Sequence, residues 1–138
     1  GIGLAQIKRY PEMLRRRRQI IECYNDAFRK LPVSVLNHYD NYHSSSGHLY
    51  LVRLDGKNRE QTNKVIEAMA ARGIACNVHY KPLPMMTAYK TMGYDIADFP
   101  NAYAQFENEI TLPLHTCLSD EDVAYVVETF AECVNKLC

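Results

Sequence analysis

The stretch Gly73-Ile74-Ala75-Cys76-Asn77-Val78-His79-Tyr80-Lys81-Pro82-Leu83-Pro84 constrains this chain more than any other. Gly73 closes a helical pattern, alternating residues follow, and Pro82 and Pro84 then remove ladder donors. A strand over residues 74–80 therefore has to end where His79 and Tyr80 stand. Side chains alternate along a strand, which places Ile74, Cys76, Val78 and Tyr80 on one side and Ala75, Asn77 and His79 on the other. An apolar back suits packing on helices, and a small polar front suits a cleft or a second domain. His79 is the candidate functional residue; the plainer alternative is a hydrogen-bonded core or interface histidine.

The neighbouring segments read as support for that strand. His48–Leu54 has the best β-branched and aromatic content and ends at the turn Asp55-Gly56. A helix from the N-cap Asn58 to Arg72 follows, with Val65, Ile66, Met69 and Ala70 on its buried side. Strand, four-turn helix, strand is the spacing of a βαβ unit, whose two strands run parallel if neighbouring or are separated by another strand. Val33–Leu36 is a short strand candidate, and Glu109–Leu114 is a strand that Pro113 confines to an edge or terminates. Short helices are expected at 85–92, closed by Gly93, and at 101–108, with Pro100 at the start where a missing donor is harmless. The last helix begins at the N-cap Ser119, with Asp122 at N3 and Leu118 and Val123 as a hydrophobic staple. Its stripe of Val123, Val126, Val127, Phe130, Val134 and Leu137 should cover the sheet.

Residues 2–30 read as helix, with Met13, Ile20, Tyr24, Ala27, Phe28 and Leu31 along one stripe. Pro11 predicts a kink or restart between a segment 2–9 and a long helix 11–30. Arg15 to Arg18 point in every direction around that helix, which favours a solvated surface over an intersubunit contact or an anion site. The apolar opening Gly1-Ile2-Gly3-Leu4-Ala5-Gln6-Ile7, without an initiator Met, predicts a fragment of a longer protein or a Gly1 left by expression.

Composition narrows the function classes. A chain of 138 residues is the size of one ordinary domain, and its 16 basic and 16 acidic residues leave no net field to draw nucleic acid or anionic lipid. No long apolar span predicts a membrane helix. Five cysteines, Cys23, Cys76, Cys117, Cys133 and Cys138, are an odd count without framework spacing, which predicts reduced thiols in a cytoplasmic protein. Cys133 and Cys138 read as packing or surface thiols. His38, His43 and His48 are evenly spaced, but no paired ligand or Cys accompanies them, so no metal site is assigned. Phosphate-binding glycine motifs, the hydrolase elbow and H-E-x-x-H are all missing. Cys76 and His79 lie on opposite faces of the strand and should not meet as a nucleophile and base.

A resemblance carries the reading further. Gly3-Leu4-Ala5-Gln6-Ile7-Lys8-Arg9, Arg16-Arg17-Arg18 before Tyr24-Asn25, His48-Leu49-Tyr50, Arg72-Gly73-Ile74 leading to Val78-His79-Tyr80, Ala88-Tyr89, Gly93-Tyr94, Phe99-Pro100-Asn101-Ala102, Leu112-Pro113-Leu114-His115 and Leu118-Ser119-Asp120-Glu121 occur in order. This run resembles the C-terminal part of the DegT/DnrJ/StrS family of PLP-dependent sugar aminotransferases. Met85 and Met86 stand where many members carry a histidine, so the rim of the substrate pocket departs from the family pattern.

The resemblance implies the small α/β (α+β) C-terminal domain of a fold-type I aminotransferase. It has a linking helix over 1–31 and a domain over 32–138 whose mostly antiparallel sheet of three to four strands is covered by helices. The large domain holding pyridoxal phosphate, the Schiff-base lysine and the acid that pairs the pyridine nitrogen would lie outside the chain. The fragment alone would then bind no cofactor, hold no catalytic residue and be inactive. The full enzyme would transfer an amino group from an amino acid, glutamate by family analogy, to a nucleotide-linked keto-sugar for polysaccharide biosynthesis, as a homodimer. By the same resemblance His79, Tyr80 and Lys81 contact substrate: His79 directly, Tyr80 as a wall and Lys81 at the rim facing a phosphate. A stand-alone regulatory or ligand-binding α/β module is the alternative.

Overall fold

Ile2–Phe28 forms one helix, α1, that runs through Pro11 without a break. The structure is a computed structural model in which residues 1–137 are described, so the thiol expected at Cys138 lies outside the described residues. Of the kink or restart expected at Pro11, the restart does not occur. Residues 1–12 are all exposed, so water solvates the carbonyl that the missing donor leaves free, and tertiary packing does not need to replace that bond.

Among the described residues five α-helices and a three-stranded antiparallel sheet stand in the order α1, β1 (Val33–Val35), β2 (Tyr50–Leu54), α2 (Arg59–Ala71), α3 (Thr87–Thr91), α4 (Pro100–Glu107), β3 (Glu109–Leu112) and α5 (Asp120–Leu137). The sheet order is β1-β2-β3, with Val52 opposite both Val35 and Ile110, and Tyr50 opposite Leu112. Paired residues share a face, so Tyr50, Val52, Leu54, Ile110 and Leu112 form one apolar side. Against it pack Ile20, Ile21, Tyr24 and Phe28 of α1, Val65 and Met69 of α2, and Val123, Val126, Phe130 and Val134 of α5. Aromatic rings set the centre: Tyr24 meets Tyr50 edge-on at 4.9 Å, and Phe28 meets Phe130 at 4.9 Å. The buried phenols keep partners, Tyr24 donating to the Pro113 carbonyl at 2.9 Å and Tyr50 to Asn25 Oδ1 at 2.9 Å.

The helix ends follow the local chemistry in the sequence. Asn58 and Gln61 cap α2 reciprocally. At its other end Gly73 takes φ +77°, Gly73 N–H donates to the Ala70 carbonyl and Ile74 N–H to the Met69 carbonyl, a Schellman closure. On α5 the Ser119 N–H donates to Asp122 Oδ2 at 2.9 Å, and the Asp122 N–H donates to Ser119 Oγ at 3.0 Å. The stripes shift by one residue at places: Ala27 and Ala70 are exposed, while Ile21, Thr62, Thr129 and Cys133 are buried.

Two further expectations are corrected. Residues 74–80 are not a strand; Asn77 alone bridges β3, through antiparallel bonds with Thr111. The next donors turn to side chains, Val78 N–H to Asn77 Oδ1 and His79 N–H to Glu109 Oε2, so local polar groups replace the ladder. This segment and β2 flank β3 on opposite sides and both run antiparallel to it, which selects the separated arrangement of the strand-helix-strand unit. Arg16 to Arg18 are not a merely solvated face. Arg16 binds Asp120 at 2.7 Å and the Leu118 carbonyl at 2.6 Å, Arg17 lies against Gly47, and Arg18 pairs with Glu22 and covers the Tyr39 ring at 4.5 Å. Connections on both sides of α1 wrap onto these side chains.

Replacing Phe130 by alanine should cost about 3–5 kcal/mol in urea unfolding, and Ser119→Ala about 1 kcal/mol. The Ser119 backbone N–H holds the Asp122 carboxyl below the usual carboxylate range. The stability from that contact is complete above the unfolded carboxyl pKa, about 4, and is lost as pH falls through the lowered value. Asp122→Asn should therefore flatten part of the acid-side loss measured between about pH 6 and pH 2.

Candidate functional site

β3 is buried on both faces, which separates its residues sharply. Ile110 and Leu112 enter the apolar core, whereas Glu109, 1% exposed, and Thr111, 6% exposed, face the other way. A buried carboxylate requires partners for both oxygens. Glu109 Oε2 accepts the His79 backbone N–H at 2.9 Å, and Oε1 accepts the Thr111 hydroxyl at 2.5 Å. His79 Nδ1 lies 2.8 Å from Thr111 Oγ1. The imidazole is thus tied to the sheet edge by its own backbone and by its ring.

A second polar tier braces this edge from behind. Arg59, on the first turn of α2, donates to the Phe106 carbonyl at 2.8 Å and to the Glu109 carbonyl at 3.2 Å, and its guanidinium covers the Phe106 ring. Burial lowers its pKa from the ordinary arginine value, and attraction to Glu109 opposes that shift. Arg53 of β2 donates to Asn108 Oδ1 and the Ala104 carbonyl, while Asn108 Nδ2 reaches the Leu54 carbonyl at 2.8 Å. These bonds hold the turn between α4 and β3, and with it Glu109.

The three residues singled out by sequence occupy one loop with different surroundings. His79 is half-buried, Tyr80 is 70% exposed and meets the His79 ring edge-on at 4.7 Å, and Lys81 is exposed. Pro82, Leu83 and Pro84 then line a shallow apolar recess of about 390 Å³ with Tyr89, Tyr94, Phe99 and Ala102. Met86 lies 40% exposed just beyond. Cys76 packs against the core, and burial pushes its thiol up to about 12, the wrong direction for a nucleophile. No bond joins it to His79 among the described residues. His38 binds Ser45 through Nδ1, while His43 binds the Asn37 carbonyl and Asp40, so these rings serve the 37–47 connection.

Sequence reading missed Glu109 and Thr111. Their signal was present: two polar residues two apart in a strand whose other face is apolar.

The chain matches the model of the DegT/DnrJ/EryC1/StrS aminotransferase family over residues 1–131. It is 35% identical to the spore coat polysaccharide biosynthesis protein SpsC of Bacillus subtilis, covering 97% of this chain and 35% of that protein. It is 28% identical to the UDP-4-amino-4,6-dideoxy-N-acetyl-beta-L-altrosamine transaminase of Campylobacter jejuni, over 99% of this chain and 36% of that one. Spr1654 of Streptococcus pneumoniae, in its PMP form, superposes with a TM-score of 0.96 at 49% identity, over 99% of this chain and 34% of its own. The chain thus spans about a third of the length of these relatives, and the matching third of Spr1654 is the C-terminal part.

Pyridoxal phosphate, which such relatives imply, finds no assembled pocket in the described residues. Lys8, Lys30, Lys64, Lys81, Lys90 and Lys136 are exposed, and the buried acid Glu109 already has hydrogen-bond partners at both oxygens. With the family model covering nearly all of the chain and the fold matching throughout, this chain belongs to the DegT/DnrJ/EryC1/StrS aminotransferase family.

Proposed function

We propose that the chain is the C-terminal third of a cytoplasmic, pyridoxal-phosphate-dependent aminotransferase acting on a nucleotide-linked keto-sugar. An amino acid, glutamate by family analogy, is the donor. The observation that carries the proposal is a family match over residues 1–131 in a chain whose one tethered, half-buried histidine stands at an open sheet edge. When bound in its own domain, the cofactor supplies the electron sink for moving the amino group. The present residues bind and orient: His79 contacts the sugar, Tyr80 walls it, and Lys81 meets a phosphate at the rim. The proton is moved by the lysine of the cofactor domain, not by His79.

In the complete enzyme His79→Ala should lower kcat/KM for the sugar about 3–10-fold, the worth of one neutral hydrogen bond, while the visible spectrum of the bound cofactor stays intact. Unchanged sugar kinetics, or loss of fold together with cofactor, would make His79 structural.

The 138-residue chain by itself should be inert. Incubation with pyridoxal phosphate should give no stoichiometric adduct at a single lysine by absorbance and mass spectrometry, and no amination of a keto-sugar nucleotide. A defined adduct with turnover would overturn this reading.

Association follows from the apolar start of α1, where Ile2, Leu4 and Ile7 are 84%, 72% and 66% exposed. In the complete enzyme they pack on the large domain; in the isolated chain they favour a homodimer, with exchange of the first helix as one route. Light scattering should find the dimer, and a monomer at high concentration with residues 1–9 ordered on their own domain would refute it.

A further inference from the structure

We infer that Glu109 and Thr111 are positioning residues that hold neutral His79 in its Nδ1–H form, leaving Nε2 as a lone-pair acceptor for a substrate hydroxyl. The inference deepens the reading of His79 as a sugar contact and rests on it.

The count of protons decides the tautomer. An ionised carboxylate only accepts, a hydroxyl has one proton to give, and a neutral imidazole carries one N–H. Glu109 accepts at both oxygens, and the 2.5 Å separation of Thr111 Oγ1 from Glu109 Oε1 is in the range of an O–H···O⁻ bond. The single proton of Thr111 is therefore spent on Glu109. At the 2.8 Å contact with His79 the threonine oxygen has to accept, so Nδ1 donates and Nε2 is bare. Among the described residues no group bonds to Nε2.

A bare Nε2 selects its ligand. It accepts from an O–H or N–H and repels an anionic oxygen, so it suits a sugar hydroxyl and not a phosphate, which is left to Lys81. Without the relay Nδ1 would lose its acceptor, the proton would move to Nε2, and the ring would present a donor instead.

Replacing Glu109 by glutamine makes this reversible on paper. The backbone N–H of His79 needs an acceptor at its side of the head group, which turns the amide NH₂ toward Thr111. The threonine oxygen then accepts from Gln and gives its own proton to His79 Nδ1, which moves the ring proton to Nε2.

The experiment is long-range ¹H–¹⁵N correlation on the histidine-labelled 138-residue chain at about pH 8.5, where imidazoles are neutral. His79 is assigned by the signal lost in His79→Gln, and each fold is checked by the amide spectrum. Wild type and Thr111→Ser should show Nδ1–H, while Glu109→Gln and Thr111→Val should show Nε2–H. A wild-type proton on Nε2, or a folded Glu109→Gln that keeps Nδ1–H, overturns the relay; if Glu109→Gln fails to fold, wild type and Thr111→Ser still decide. In the complete enzyme Thr111→Val should lower kcat/KM for the sugar severalfold and Thr111→Ser should restore it. A switched tautomer with unchanged kinetics would refute the hydroxyl contact while leaving the relay in place.

Discussion

Burial of β3 on both faces imposes the condition that organises this domain. Glu109, Ile110, Thr111 and Leu112 are all buried, yet only the second and fourth meet hydrocarbon. A carboxylate removed from water costs several kcal/mol unless its oxygens are paired, and the pairing here comes from outside the strand. One partner is the backbone of His79 and the other is Thr111, which in turn holds the His79 ring. The loop after α2 is drawn to the sheet edge to satisfy Glu109, and the histidine arrives with it.

That loop has few other holds. Its main chain pairs with β3 at Asn77 alone, so without Glu109 the segment would keep a single bridge. The tier of Arg59, Arg53 and Asn108 acts one step further back, fixing the turn from which β3 starts. The core and the contacts that hold His79 are thus built from opposite faces of the same four residues. A change on the apolar face acts on stability, and a change on the polar face acts on the placement of His79.

Much of this was legible in the sequence where the cause is local. Ser119 with Asp122, Asn58 as a cap and Gly73 as a left-handed stop depend on residues within one turn, and all three appear as expected. The expected strand over 74–80 failed because its donors had better partners, and the expected alternation ends at Tyr80, which is exposed. Asn77 and Glu109 supply side-chain acceptors that a ladder cannot outcompete. At Pro11 the helix does not restart: the freed carbonyl lies in an exposed segment, where water can be its partner. Glu109 and Thr111 escaped notice because their meaning depends on His79, 30 and 32 positions away.

A hydrogen bond at Nε2 gains little while water reaches the ring, because water satisfies the same lone pair. His79 is half-buried here, Tyr80 against its ring is 70% exposed, and Leu83, Tyr94 and Phe99, which line the recess after Lys81, are exposed by 53%, 50% and 39%. A surface that covered Tyr80 and the histidine would exclude water from the ring and raise the cost of leaving Nε2 unmatched. On the proposed reading, discrimination for a hydroxyl would be set by two conditions together: the tautomer that Thr111 and Glu109 hold, and dryness supplied by whatever surface closes over it. On that reading the first condition is set by β3, whose Glu109 and Thr111 hold the imidazole, and the second by a surface outside this loop.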